Sequence, residues 1–303
     1  MKLAMGSGLD IVQKSLAWMT LSCLFFSLVM VSIRLFLTDL PTEQSVFLRY
    51  TIGSFMVLPF LGLQAAKFWK WKHKGQFALR AGLHGAGVYT WFFALLLVPL
   101  AEINALLNLG PIYATLGAVI FFGERLKMRR IMAIVISFIG ALIVIKPGFS
   151  VINIGVIAIL ATAPLFSMSD LIAKNLKTEH DDSQIIFGLS TGIAILLFVP
   201  ALFVWQPMSV QNMIGVACIS GFATMGHFTL MKAFRGPMWA AQTGKYIQLL
   251  FVIIFGIILF DEIPTLSTIV GALVVLASVT YIGIRESQIN RANNAAKAMP
   301  SKE

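Results

Sequence analysis

Ala118-Val-Ile-Phe-Phe-Gly-Glu124 and Gly256-Ile-Ile-Leu-Phe-Asp-Glu262 are two versions of one phrase, an apolar run closing on a glutamate, set 138 positions apart. The same displacement carries Pro99 onto Pro237. Each phrase sits among five long apolar segments. The first half has them at approximately 16–37, 44–64, 78–98, 102–122 and 131–146, the second at 154–173, 184–204, 212–231, 239–260 and 266–284. A helix needs roughly 20 apolar residues to cross about 30 Å of hydrocarbon, and these runs have about that length. They are continuous rather than alternating, which predicts helices and not the strands of a barrel.

The expected fold class is therefore an all-α membrane protein of ten transmembrane helices, arranged as two inverted five-helix repeats over 15–146 and 154–285. A polar segment, 286–303, follows and is expected to be a disordered cytoplasmic tail. Five is an odd number, so the second copy enters the bilayer upside down relative to the first. Glu124 then falls inside and Glu262 outside, where both are expected to fix span ends or pair with nearby basic groups. Inverted copies let one sequence pattern build a gate on each side of a shared central site. That is the design expected of a secondary carrier working by alternating access.

Composition agrees. Of 303 residues 58% are hydrophobic and 12% charged, with a mean hydropathy of +0.87, whereas soluble domains carry about 25% charged residues. Ten crossings leave no room for a soluble catalytic domain. Cys23 and Cys218 lie inside apolar runs without metal-ligand spacing, so neither a disulfide framework nor a zinc site is expected. The first span exceeds the length of a secretory signal, lacks a small-x-small cleavage site and is expected to be retained.

The formal charge of +10 is spread over short loops rather than one polar face, which argues for orientation in a membrane and against nucleic acid as a partner. Placing the N-terminus inside puts all of the 23 lysines and arginines on the cytoplasmic side except Arg34, Arg49, Lys146 and Lys245. Both termini are therefore expected in the cytoplasm, in a multi-pass protein of the cell inner membrane.

Ala101-Glu-Ile-Asn-Ala-Leu-Leu-Asn-Leu-Gly-Pro111, Phe121-Phe-Gly-Glu-Arg-Leu126 and Gly140 ahead of Ile143-Val-Ile145 together resemble the drug/metabolite transporter superfamily, specifically its ten-helix EamA type. The resemblance covers about residues 15–285. The second half departs from it, with Leu249 at the position of Pro111 and Ser278 at that of Gly140. What the resemblance implies is export or import of a small metabolite, such as an amino acid, nucleoside-like compound, sugar or vitamin.

No phosphate loop, paired-histidine metal motif or nucleophile elbow is present in the sequence, so no cofactor and no enzymatic activity are expected and a gradient must drive the work. Polar side chains inside spans then carry the chemistry, because each costs about 2.5–3.5 kcal/mol at mid-membrane unless it faces a cavity or a partner. Gln242, Lys245 and Tyr246 share a face of the ninth span, with Gln248 one turn on. Lys245 would attract an anionic group; the plainer alternative is snorkelling to the headgroups. Asn104 and Asn108 are one helical turn apart in the fourth span, ahead of Pro111 and Tyr113, and mark a place to bind or bend, or merely to join helices. His84 and Trp91 share a face of the third span with Tyr89 nearby, a candidate aromatic wall or an interface belt. His84, His227 and Asp170 are the embedded groups able to carry a proton. Arg34 and Arg49 near the outward ends of spans one and two are expected to snorkel, with attraction of anions as the alternative.

The expectation is a small-molecule substrate, polar or amphipathic, moved with coupling to protons or to substrate exchange by a monomer or homodimer among membrane lipids. The cavity should lie between spans three, four, eight and nine. Two other classes remain: an integral-membrane enzyme on lipid substrates, which needs acids clustered at one interface, and a non-transporting scaffold, which would not exchange labelled substrate across a sealed vesicle.

Overall fold

A computed structural model describes residues 2–62, 71–110, 112–113, 128–145, 153–236, 241 and 244–297. Ten helices account for most of these: α1 Lys2–Phe36, α2 Thr42–Leu61, α3 Lys74–Leu95, α4 Leu100–Leu107, α5 Met128–Ile145, α6 Ile154–Leu176, α7 Asp182–Phe203, α8 Val210–Ala233, α9 Ile247–Phe260 and α10 Leu266–Lys297. Their order and positions follow the ten apolar segments. Glu124, Pro111 and Pro237 lie outside the described residues. Helix α10 continues to Lys297, so residues 286–297 are helical where a disordered tail was expected.

Among the described residues four stretches are both long and apolar enough to cross a membrane: Ile11–Phe36, Ile154–Leu176, Asp182–Phe203 and Val210–Ala233. Shorter apolar helices run over Ile134–Ile145, Ile247–Phe260 and Leu266–Ser278. α2 and α3 are long but fall outside this set, since α2 carries Glu43, Gln44 and Arg49 and α3 carries Arg80 and His84. Gln44, Arg49, Arg80 and His84 are all buried, so both helices turn their polar residues inward. The outer surface is apolar instead: Phe55, Phe60, Ile195, Leu196, Phe198, Phe203 and Ile258 are exposed, as residues facing hydrocarbon would be.

The helices pack in a reciprocal pattern, α1 on α8 and α3 on α6, α2 on α7, α4 on α9 and α5 on α10. Small residues set the closest approach: a Cβ on Gly271 would stand 2.6 Å from the Gly140 carbonyl oxygen, so α5 and α10 touch backbone to backbone. Two crossed polar contacts repeat the reciprocity. Ser15 at the start of the apolar part of α1 donates to the Ala233 carbonyl at the end of α8, 2.8 Å. Asn153, the N-cap of α6 and 138 positions after Ser15, donates to the Leu97 carbonyl just past α3, 2.9 Å. In both cases a side chain reaches a backbone carbonyl at the end of a helix of the other half.

One end of the bundle is tied by Arg34. Its guanidinium pairs with Glu262, donates to the carbonyls of Leu95, 2.7 Å, and Val98, and lies 5.6 Å from the centre of the Phe260 ring. The other oxygen of Glu262 accepts from the Leu100 amide, 2.9 Å. α1, the end of α3, the start of α4 and the end of α9 meet there. Glu262 thus pairs with a basic group at a span end, as expected, while Arg34 is held by protein rather than snorkelling.

At the opposite end Lys177 pairs with Asp182 and donates to the Met231 carbonyl, 2.8 Å, while Arg235 reaches the same carboxylate at 2.9 Å. Glu179 in the α6–α7 loop contacts His73 at 3.1 Å and Lys72 at 3.0 Å. Hydrogen bonds to His73 and Lys72 hold its carboxyl below the usual range, that with His73 having the largest influence.

Candidate functional site: a polar cavity between broken helices

The fourth and ninth spans are interrupted at corresponding positions. α4 ends at Leu107, and Asn108 and Leu109 form a turn; Lys245 and Tyr246 form a turn immediately before α9. A displacement of 138 lays Asn108 on Tyr246. The turns tighten to i to i+3 bonding: Leu109 N–H to Leu106 O, 3.1 Å, and Gln248 N–H to Lys245 O, 3.1 Å. The ninth span breaks without a proline at the matching position, which Leu249 occupies. The Cys23 thiol contacts the carbonyls of Gly244 and Lys245, both at 3.7 Å, so α1 satisfies part of the opened backbone. Irregular backbone at membrane depth is tolerated where it is buried in protein or lines a cavity.

Both breaks border an internal cavity of about 180 Å³. Its wall comes from α1, α2, α3, α4, α6 and α8 together with Lys245, Tyr246 and Gln248. The expected wall of spans three, four, eight and nine is there, and α1, α2 and α6 complete it. Nine of the predicted site residues meet at this cavity: His84, Trp91, Asn104, Asn108, Asp170, His227, Lys245, Tyr246 and Gln248. Tyr89 and Tyr113 do not. Tyr89 is exposed and donates to Glu43 at 2.9 Å, and Tyr113 packs edge-on against Phe138 at 6.3 Å. Gln242 lies outside the described residues.

Lys245 and Asp170 form an ion pair across the cavity, Nζ to Oδ2 2.7 Å. Lys245 is thus paired rather than snorkelling, and with side-chain exposures of 31% and 13% both partners still reach the open space. The pair joins the break before α9 to α6 and lies where a charged solute would compete for it. Beside it an aromatic wall is assembled from several helices. His84 stacks on Phe166 at 4.8 Å and stands 5.6 Å from His227, which meets Phe26 edge-on at 5.2 Å; Trp91 approaches Phe166 at 6.4 Å. His84 Nδ1 contacts the Ser169 hydroxyl at 3.1 Å. Asn108 donates to Asn104 at 3.3 Å, leaving the Asn104 nitrogen and the Asn108 oxygen for other partners. Ser167 donates to Gly110 O, 2.8 Å, fastening α6 to the broken fourth span.

Sequence reasoning missed Tyr50, Phe26, Phe166 and Ser167, which belong to this wall. Arg49 belongs to it too, although its place near the start of the second span suggested the membrane surface. One signal for Arg49 was in the sequence: it lies two helical turns inside the span, deeper than Glu43.

The protein-family comparison matches residues 13–146 to the EamA-like transporter family. Similarity to a named transporter extends over 92% of the chain. Over residues 13–146 the chain is similar to the EamA type. The S-adenosylmethionine uptake transporter of Rickettsia prowazekii is 23% identical over 279 residues, which cover 92% of this chain and 95% of that relative. The riboflavin transporter of Brucella anthropi is 25% identical, covering 84% and 92%, and the pseudopaline exporter CntI of Pseudomonas aeruginosa is 23% identical, covering 89% and 96%. A solved crystal structure shares the fold with a TM-score of 0.58 at 16% identity, covering 92% of the chain and 98% of that structure. The chain is therefore similar along most of its length to transporters of small molecules, and the cavity is its candidate substrate site.

Proposed function

We propose that this transporter moves a small polar or amphipathic metabolite by alternating access across the inner membrane, through the cavity bounded by Lys245, Asp170 and the His84, Phe166 and Trp91 rings. The observation that carries this reading is the meeting of two broken helices at one cavity that carries charged and amide side chains inside an apolar bundle. The chain works as two inverted five-helix repeats, 15–146 and 154–285, with both termini cytoplasmic. The reciprocal packing of α1 on α8 and α3 on α6, and the matched interruptions at Asn108 and Tyr246, support that division. The basic residues concentrated on one side support the orientation.

The Arg34–Glu262 tie closes the outward end in this conformation, and its release accompanies outward opening. Asp170 is the group through which protons or an exchanged substrate couple to movement, because a change of charge there alters its hold on Lys245. His84 and His227 are the neighbouring groups able to relay a proton. One chain encloses the whole path.

The relatives that carry S-adenosylmethionine, riboflavin and pseudopaline make amino-acid-like and vitamin-like solutes the first to test. Purified protein in sealed vesicles loaded with unlabelled solute is expected to accumulate the same solute in labelled form by counterflow. A lack of counterflow for every solute in a panel of amino-acid derivatives, nucleosides and vitamins overturns the reading.

A further inference from the structure

The cavity holds a positive charge that the protein leaves uncompensated. Arg49 lines it and is only 6% exposed. Its guanidinium lies over the Tyr50 ring, 3.6 Å from the centroid, and among the described residues no carboxylate pairs with it. The carboxylate on the described wall of the cavity is Asp170, which already holds Lys245. Among the described residues, two buried polar atoms of the wall, Trp91 Nε1 and His227 Nδ1, have no hydrogen-bond partner. Arg80, also buried, adds to the positive field and donates to the Ile185 carbonyl, 2.9 Å. A ring face offsets part of the cost of burying a guanidinium, but a counter-anion with matching oxygens offsets far more.

We propose that Arg49 is an anion-binding residue of this cavity, taking the carboxylate or phosphate of a small substrate whose planar body lies against the Trp91 and Phe166 rings. The inference rests on the cavity being the transport site. An oxyanion matches the guanidinium in charge and geometry, Trp91 Nε1 offers a further donor, and the aromatic wall suits an unsaturated ring. The Lys245–Asp170 pair stays available for a second polar group of the same solute.

The test uses matched probes that differ in charge: indole-3-acetate against tryptamine, and riboflavin 5′-phosphate against riboflavin. Thermal-shift titrations are run on the full chain in detergent, as wild type, Arg49→Lys and Arg49→Gln. Wild type is expected to bind each anionic probe at least tenfold more tightly than its partner. Arg49→Gln loses the difference and Arg49→Lys keeps part of it. The unliganded Arg49→Gln protein is expected to melt at or above wild type, because an uncompensated buried charge is gone; a purely structural arginine would give a lower melting temperature. Equal binding of charged and uncharged probes by wild type, discrimination that survives in Arg49→Gln, or an unliganded variant melting several degrees lower overturns the proposal. Counterflow of the same probes separates the two claims. Flux of tryptamine or riboflavin with no charge discrimination leaves the transport reading standing without this one, and discrimination in binding with no flux of any probe does the reverse.

Discussion

Arg34 in the last turn of α1 and Glu262 just beyond α9 form an ion pair, and each also holds backbone on a third element, Arg34 the end of α3 and Glu262 the Leu100 amide. The two residues are 12% and 24% exposed at the side chain, so water screens the pair only in part. Glu262→Gln keeps an acceptor for Leu100 and removes the countercharge, and is expected to cost about 1–3 kcal/mol. Arg34→Gln strands two carbonyls and the carboxylate together and is expected to cost about 3–5 kcal/mol. Reversible unfolding in mixed micelles measures both, and the double variant should cost less than the sum of the singles. Additive costs would mean that the two side chains do not act on one another.

Lys245 and Asp170 hold each other inside the cavity. Lys245→Ala leaves a carboxylate without its partner in a partly dry site, and is expected to lower uptake in proteoliposomes about tenfold, a loss of about 1.4 kcal/mol, while the protein still folds. Asp170→Asn should lower uptake as well and weaken its dependence on an imposed pH gradient. Unchanged uptake kinetics in Lys245→Ala would remove that lysine from the path.

The contact between α5 and α10 tolerates no side chain at its centre. A Cβ at Gly271 meets the Gly140 carbonyl at 2.6 Å and the Val144 amide nitrogen at 2.9 Å, backbone atoms that cannot swing aside. Gly271→Val is expected to separate the two helices and cost about 1–3 kcal/mol or more, visible as a lower melting temperature. Gly82→Ala serves as the comparison, because nothing lies within 4 Å of the added atom, and it should melt within a degree or two of wild type. Equal melting of the two variants would contradict the described packing.

The order of the helices was legible because the long apolar runs state their own lengths, and the match of Glu124 to Glu262 suggested a division into two halves. Much of the cavity was legible for one reason: Lys245, Asp170, His84 and Asn104 are polar groups inside apolar spans, where only a partner or a cavity accounts for them. Tyr89 and Tyr113 stand apart from the cavity wall, since a tyrosine satisfies its hydroxyl equally well elsewhere, Tyr89 by bonding Glu43. Phe26 and Phe166 were invisible, since a phenylalanine in a membrane helix carries no mark of whether it faces lipid or cavity. Which helices pair across the bundle is also absent from local pattern. The Arg34–Glu262 tie joins residues more than 200 positions apart, and neither spacing nor hydropathy announces it.

Access to the cavity from alternate sides is tested most directly by the reactivity of one engineered thiol. Ser167 lines the cavity, and Ser167→Cys in a chain with Cys23 and Cys218 replaced by serine can be treated with a membrane-impermeant maleimide in right-side-out and in inverted vesicles. Labelling is expected from both sides, with Glu262→Gln shifting reactivity toward the outer face as the Arg34 tie is lost. Labelling from one side only, unchanged by Glu262→Gln, would contradict a path that opens alternately to each face.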